Sequence, residues 1–245
     1  MENKEFLLIA AIFVSFIIFV SSTHFPETRI YIINQTQPIS FYSNKSTTTE
    51  IYLPAVDEKG NGVITKLEVK ALLGSGKVLV DINQLLFWID TQYSIQTAKN
   101  VAEKITGKNL SKYDLIYSIQ TNASLIEGPS AGAAITIATI AALENKTLNK
   151  SVMITGTIQP DGRIGPVGGI LAKARAARSV GAELFLVPLG QGTQVNYIPI
   201  KKCRSFGYIK YCEITYEKSE VSISEDAGVE VKEVGTIEDA MKYFF

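Results

Sequence analysis

Histidine and cysteine are scarce in this chain of 245 residues: there is one histidine, His24, and there are two cysteines, Cys203 and Cys212. A Ser-His-Asp triad needs a histidine inside the folded body, and His24 stands beside an N-terminal apolar segment, so that chemistry is not expected. Two cysteines and one histidine do not supply a Cys/His zinc site, and no metal or other cofactor is expected. No G-x-x-x-x-G-K-[ST] pattern occurs, so the chain carries no P-loop and no nucleotide is expected as a partner. Charge is balanced, 24 Lys and Arg against 24 Asp and Glu, and no basic block breaks the balance. Nucleic acid is therefore not suggested either.

Long apolar runs are few, and the first is N-terminal. Phe6 to Val20 (FLLIAAIFVSFIIFV) is an uncharged apolar stretch of 15 residues, short for a spanning helix and long for a signal-peptide core. A signal-anchor and a signal peptide both fit, and Val20 and Ser22 are small enough for cleavage after Ser22. Residues 1–22 are read as this segment, 23–50 as a polar, Thr/Ser-rich connector, and 51–245 as the folded domain. The N-terminal helix makes the membrane an expected partner, with the body outside the cytoplasm, or secreted if the segment is removed. Six N-x-S/T sequons among eleven asparagines (at Asn34, Asn44, Asn109, Asn122, Asn145 and Asn149) point the same way. Cys203 and Cys212, nine residues apart, fit a hairpin closed by a disulfide in an exported chain; two buried free thiols are the alternative.

The body mixes strands and helices without a strict βαβ rhythm, which argues for an α+β fold. The ordered domain begins with Ile51–Val56, and strands are expected at Val63–Leu73, Lys77–Ile82, Tyr113–Gln120, Ser151–Ile158, Glu183–Pro188 and Val229–Val234. Helices are expected over Thr91–Ile105, Ile170–Val180 and Ile237–Phe244. Residues 189–225 read as loop-rich, with strands near Gly207–Thr215 and a charged connector.

The second apolar run, Ala133 to Leu143, is apolar on nearly every face and predicts a buried helix closed by Asn145. It is preceded by Glu127-Gly128-Pro129-Ser130-Ala131-Gly132, which places Ser130 at or just before the helix N-terminus. There a hydroxyl could cap the helix or act as a nucleophile beside backbone N–H groups of the Gly128, Ala131, Gly132 turn. Lys173 weighs on the choice. Its neighbours at i−4, i−3, i+3 and i+4 are Gly169, Ile170, Ala176 and Ala177, so it is aimed into small, apolar surroundings, away from Arg175 and Arg178. Desolvation there lowers an ammonium pKa and makes a general base; a snorkelling lysine is the alternative. Together the two residues suggest a Ser–Lys dyad that needs no histidine.

The pattern E-G-P-S-A-G, then Thr155-Gly156 at 25 residues past the serine, then G-G-x-x-x-K ending at Lys173, 43 past it, resembles the proteolytic domain of Lon proteases. The likeness is strongest from about Leu115 to Pro188 and includes the continuation ARAARSVGAELFLVP. It implies an α+β fold like domain 2 of ribosomal protein S5, a serine endopeptidase with Ser130 as nucleophile and Lys173 as base, and a supporting hydroxyl at Thr155. It also implies an acidic residue at Glu127, three before the serine, which could pair with Lys173 or be a solvated turn carboxylate. Polypeptide substrates and a homo-oligomeric ring follow from the resemblance. Lon proteases carry an ATPase module ahead of this domain; none is found here, so the chain is similar to stand-alone, membrane-linked Lon-like proteins and is expected to work without ATP. A catalytically silent Lon-like binding or scaffold module at the cell surface is the alternative function.

Overall fold

The computed structural model describes residues 46–81, 89–120 and 128–245. All of them belong to the second of two units, Phe41–Phe245. The Phe6–Val20 run, His24, Glu127 and the sequons at Asn34, Asn44 and Asn122 lie outside the described residues. Among the described residues no helix is long and apolar enough to cross a membrane.

The first sheet orders β1 (Thr47–Val56), β2 (Gly62–Leu73), β4 (Tyr113–Gln120) and β3 (Val78–Asp81) side by side, in the sequence β1-β2-β4-β3. β1 begins at Thr47, inside the stretch read as connector. Its alternation explains why: Thr49, Ile51 and Leu53 point to one face and are buried. The register continues that face across the sheet. Ile51 sits opposite Leu67, which sits opposite Ile119; Thr49 opposite Val69, and that opposite Tyr117. Rows of this kind are the packing unit of a sheet.

Two helices cover that face. α1 (Ile89–Thr106) contributes Ile95, Ala98, Val101 and Ala102, and α2 (Gly132–Glu144) contributes nearly its whole surface. Residues Gly132 to Leu143 of α2 are all buried, as an all-round apolar sequence requires. Thr136 and Thr139 tolerate this because each hydroxyl donates to a carbonyl one turn back, Gly132 and Ile135. Tyr117 also meets Thr139, oxygen to oxygen at 3.0 Å, tying sheet to helix. Asn145 ends α2 in the left-handed conformation, with φ at 54°.

A second, parallel sheet orders β11 (Glu230–Val234), β8 (Leu184–Pro188) and β5 (Val152–Ile154). It packs against α3 (Ile170–Ser179), whose small Ala174 and Ala177 let Phe185, Val187 and Ile223 close in. The stretch Ser151–Ile158, expected as one strand, is broken: β5 ends at Ile154 and β6 (Thr157–Ile158) turns away to pair with β7 (Ile164–Gly165). The break falls at Thr155-Gly156, where the backbone leaves the sheet to bond the head of α2. The last elements are a short helix α4 (Ile223–Ala227) and α5 (Ile237–Phe244), capped by Thr236 on the Asp239 N–H.

The expected loop-rich region is also corrected. Thr193–Phe206 and Ile209–Ser222 form β9 and β10, a two-stranded hairpin of 14 residues per strand. Cys203 lies opposite Cys212 in that ladder, and the two are bonded with Cα atoms 4.0 Å apart. The ribbon lacks clear period-2 alternation because polar and apolar residues share both faces and, among the described residues, no sheet packs on either.

Candidate functional site

The site is assembled where the strand break meets the head of α2. Pro129–Ala131 is a single 3₁₀ turn, and the Gly132 N–H donates to the Pro129 carbonyl. α2 then starts with Ala131 as its N-cap and without a capping side chain. The hydroxyl of Ser130 is therefore not spent as the helix cap. Gly132 is small for a packing reason: a Cβ there would lie 2.7 Å from Ile158 Cγ2 and 2.8 Å from Ile158 N. Only a glycine lets β6 approach the helix this closely.

Three hydrogen bonds join the break to this turn. Gly156 N–H donates to the Ser130 carbonyl at 3.0 Å, Ala133 N–H donates to the Gly156 carbonyl at 3.0 Å, and Thr155 Oγ1 donates to the Ser130 carbonyl at 3.3 Å. From the other side, Thr155 N–H donates to Leu186 of β8 at 3.1 Å. Thr155 is thereby fixed at the carboxyl end of a parallel strand, the place where such sheets present functional groups.

Lys173 arrives from α3, in its first turn, with its N–H bonded to the Gly169 carbonyl at 3.0 Å. It is 4% exposed and its ammonium donates to Thr155 Oγ1 at 3.4 Å. Burial lowers its pKa from the usual lysine value to about 8. Arg175 and Arg178 are exposed on the opposite side, Arg175 in an ion pair with Asp226 at 2.8 Å.

Ser130 and Lys173 line the same cleft, of about 420 Å³, together with Gly128, Val56, Thr157 and Gly168. Of the residues singled out in the sequence, the cleft and its wall thus bring together Gly128, Ser130, Thr155 and Lys173. Ala131 and Gly132 form the turn behind it, Glu127 lies outside the described residues, and the Cys203–Cys212 bridge belongs to the β9–β10 hairpin. Among the described residues no group of three or more His, Cys, Asp or Glu could hold a metal ion.

Two positioning residues were not found in the sequence. Gln191, just after β8, grips the backbone of Val167 at both ends: Val167 N–H donates to Gln191 Oε1 at 3.0 Å, and Gln191 Nε2 donates to the Val167 carbonyl at 2.8 Å. Val167 lines the cleft, so this clamp sets one of its walls. Glu233 of β11 in turn holds the Gln191 loop, accepting from Gly190 N–H at 2.9 Å and Gly192 N–H at 2.7 Å. Those two backbone donors hold its carboxyl below the ordinary value. No local pattern marks such side chains; each is one polar residue in a loop or an exposed strand position.

Comparison with known proteins defines the class. Residues 60–217 match the model of the Lon protease (S16) C-terminal proteolytic domain. The chain belongs to that family. It is 32% identical over 158 residues to an archaeal Lon protease of Thermoplasma acidophilum, covering 63% of this chain and 21% of that protein. Against the archaeal Lon protease of Thermoplasma volcanium it is 39% identical over 97 residues, 40% of this chain and 14% of the relative. Against the Lon protease of Fervidobacterium nodosum it is 30% identical over 139 residues, 54% and 17%. The chain thus spans about a fifth or less of the length of these relatives.

Proposed function

We propose that the chain is a serine endopeptidase whose nucleophile is Ser130 and whose general base is Lys173. The observation that carries this reading is a buried lysine sharing a cleft with a serine, with Thr155 bonded to both residues. With a pKa of about 8, about a tenth of Lys173 is the free amine at pH 7, against well under a thousandth for an ordinary lysine. That amine takes the Ser130 Oγ proton as Oγ bonds to the peptide carbonyl carbon. The carbonyl π electrons move to oxygen. As the Gly132 N–H is committed to Pro129, backbone N–H groups earlier in the Gly128–Ala131 turn would receive that oxyanion. Collapse breaks the C–N bond, and the Lys173 ammonium returns its proton to the leaving amine. A water then repeats the sequence on the acyl-serine, with Lys173 again as base. Thr155 donates to the Ser130 carbonyl, which leaves its lone pairs to hold the amine in place.

Unstructured polypeptides are the substrates we propose. A second cleft of about 460 Å³ shares the lining residues Val167 and Gly169 with the first, which supports an extended chain as the occupant. No P-loop pattern is present, so hydrolysis draws on no nucleotide held by this chain. We place the body outside the cytoplasm, anchored by or released from the Phe6–Val20 segment. The exposed sequons at Asn109, Asn145 and Asn149 and the Cys203–Cys212 bridge support this. The intact mass of native protein reports sequon occupancy and N-terminal cleavage together; unoccupied sequons and reduced cysteines contradict the placement.

The test of the activity is cleavage of an unfolded casein-like substrate. Ser130→Ala is expected to abolish it while the protein stays folded, because no cap is lost. Undiminished turnover in that variant contradicts the assignment and leaves a non-catalytic Lon-like module as the reading.

A further inference from the structure

The β9–β10 hairpin carries large apolar side chains that the described body does not cover. At its end Phe206 is 74% exposed, Tyr208 is 109% exposed and Ile209 is 74% exposed. Gly207, with φ at 58°, opens the two-residue turn, where glycine at the first central position is the usual requirement. Just behind the turn the charge is one-sided. From Ile200 to Cys212 there are four cations, Lys201, Lys202, Arg204 and Lys210, and no carboxylate. None of the four is in an ion pair among the described residues, although the chain as a whole is neutral. Glu213 stands opposite Lys202 in the ladder without forming an ion pair, and Glu217 and Glu220 follow in the half nearer the body. The register puts Lys201 and Lys210 on the face of the disulfide, and Lys202 and Arg204 on the opposite face. The cations therefore surround the ribbon.

We propose that this tip is a docking element for an anionic lipid surface. A rise of about 3.3 Å per residue sets Lys210 and Arg204 within ~7 Å of the turn and Lys201 within ~17 Å. An apolar tip sunk beneath the headgroups would thus carry its cations at the level of the lipid phosphates. Aromatic rings and flanking Lys and Arg are what a bilayer interface selects. A protein partner fits less well, because lysine is depleted from the cores of protein interfaces and three of the four cations are lysines. The Cys203–Cys212 bridge closes the ribbon at the fourth pair from the turn, so the tip is presented with little ordering cost at docking.

The experiment uses the full chain, reconstituted into vesicles of phosphatidylcholine alone and of phosphatidylcholine mixed with phosphatidylglycerol. Trypsin cuts after Arg204 and Lys210 are timed by mass after reduction, against the cut after Lys59 in the exposed Asp57–Gly62 turn. This readout is local to the tip, so attachment through the N-terminal segment, common to both vesicle types, does not enter it. The tip cuts are expected to slow roughly tenfold or more on anionic vesicles, with recovery at high salt as the surface potential is screened. The triple variant Phe206→Ser, Tyr208→Ser, Ile209→Ser keeps every trypsin site and should lose the protection. Equal cutting rates on the two vesicle types overturn the proposal. Protection without lipid that grows with protein concentration also overturns it, and assigns the tip to a second copy of the chain.

Discussion

Lys173 and Thr155 are joined by a hydrogen bond of 3.4 Å, buried from solvent at both ends. The same threonine hydroxyl donates to the Ser130 carbonyl at 3.3 Å. One side chain thereby sets the distance between a helix-borne amine and a turn-borne serine that reach the cleft on different elements.

The threonine is therefore expected to act through its hydroxyl rather than its bulk. Thr155→Val keeps the volume and removes both bonds, and kcat should fall roughly 10- to 100-fold, the equivalent of one or two buried hydrogen bonds. Thr155→Ser should retain most of the rate. Peptide hydrolysis by the two variants checks this, and a fully active valine variant contradicts it.

Lys173→Met is expected to destroy cleavage yet stabilise the protein at neutral pH. Because the folded pKa of Lys173, about 8, lies below its unfolded value of 10.5, folding must discharge or desolvate an ammonium. That penalty is complete below pH 8, on the order of 3 kcal/mol, shrinks as pH rises above 8 and is gone above about 10.5. Denaturant midpoints of wild type and Lys173→Met should differ most below pH 8 and converge in strong alkali. A less stable variant at pH 7 would show that Lys173 is not desolvated in the fold.

The activity itself should rise with pH through about 8 and level off above it, as the free amine becomes the dominant form. The profile is read in kcat/KM on a short, uncharged peptide, which keeps substrate titration out of the curve. A plateau already reached at pH 6 would place the base elsewhere.

Gln191→Ala frees the cleft wall at Val167 without touching Ser130 or Lys173. Loss of two backbone bonds should lower kcat/KM by roughly tenfold while leaving the pH midpoint unchanged. Glu233→Gln, one step further out, should produce a smaller effect in the same direction. If both variants match wild type in peptide hydrolysis, the Val167 wall does not contact substrate.

The long helices and the strands β2, β3 and β4 were legible because strong local patterns carried them, whereas the shared cleft of Ser130 and Lys173 was suggested by the surroundings of Lys173 and by the spacing that resembles a known family. The Ala-rich run Ala133 to Leu143, apolar on nearly every face behind a small-residue turn, reads as a buried helix, and a lysine ringed by Gly169, Ile170, Ala176 and Ala177 has no polar face to turn to. Three readings went astray for identifiable reasons. Ser151 to Ile158 looks like one strand because its β-branched and apolar residues suit a sheet despite Gly156; the break at Thr155-Gly156 is fixed by long-range bonds to Ser130 and Leu186. Among the described residues the β9–β10 ribbon has no buried face to impose alternation, and the cysteine spacing and a strand near Gly207–Thr215 gave only part of it. β1 starts at Thr47 because Thr49 is buried across from Val69, a pairing set by a strand 20 residues away in sequence. Gln191 and Glu233 act on backbone amides, which no side-chain motif encodes.

The central claim is that Lys173 activates Ser130, and the most direct measurement is acylation of Ser130 by a serine-directed probe, followed by intact mass and peptide mapping across pH. Wild type should be labelled at Ser130 alone, with a rate rising through pH about 8. Lys173→Met should be labelled at least about a hundredfold more slowly while remaining folded. Labelling of Ser130 at the wild-type rate in Lys173→Met, or labelling elsewhere in Ser130→Ala, would contradict the account.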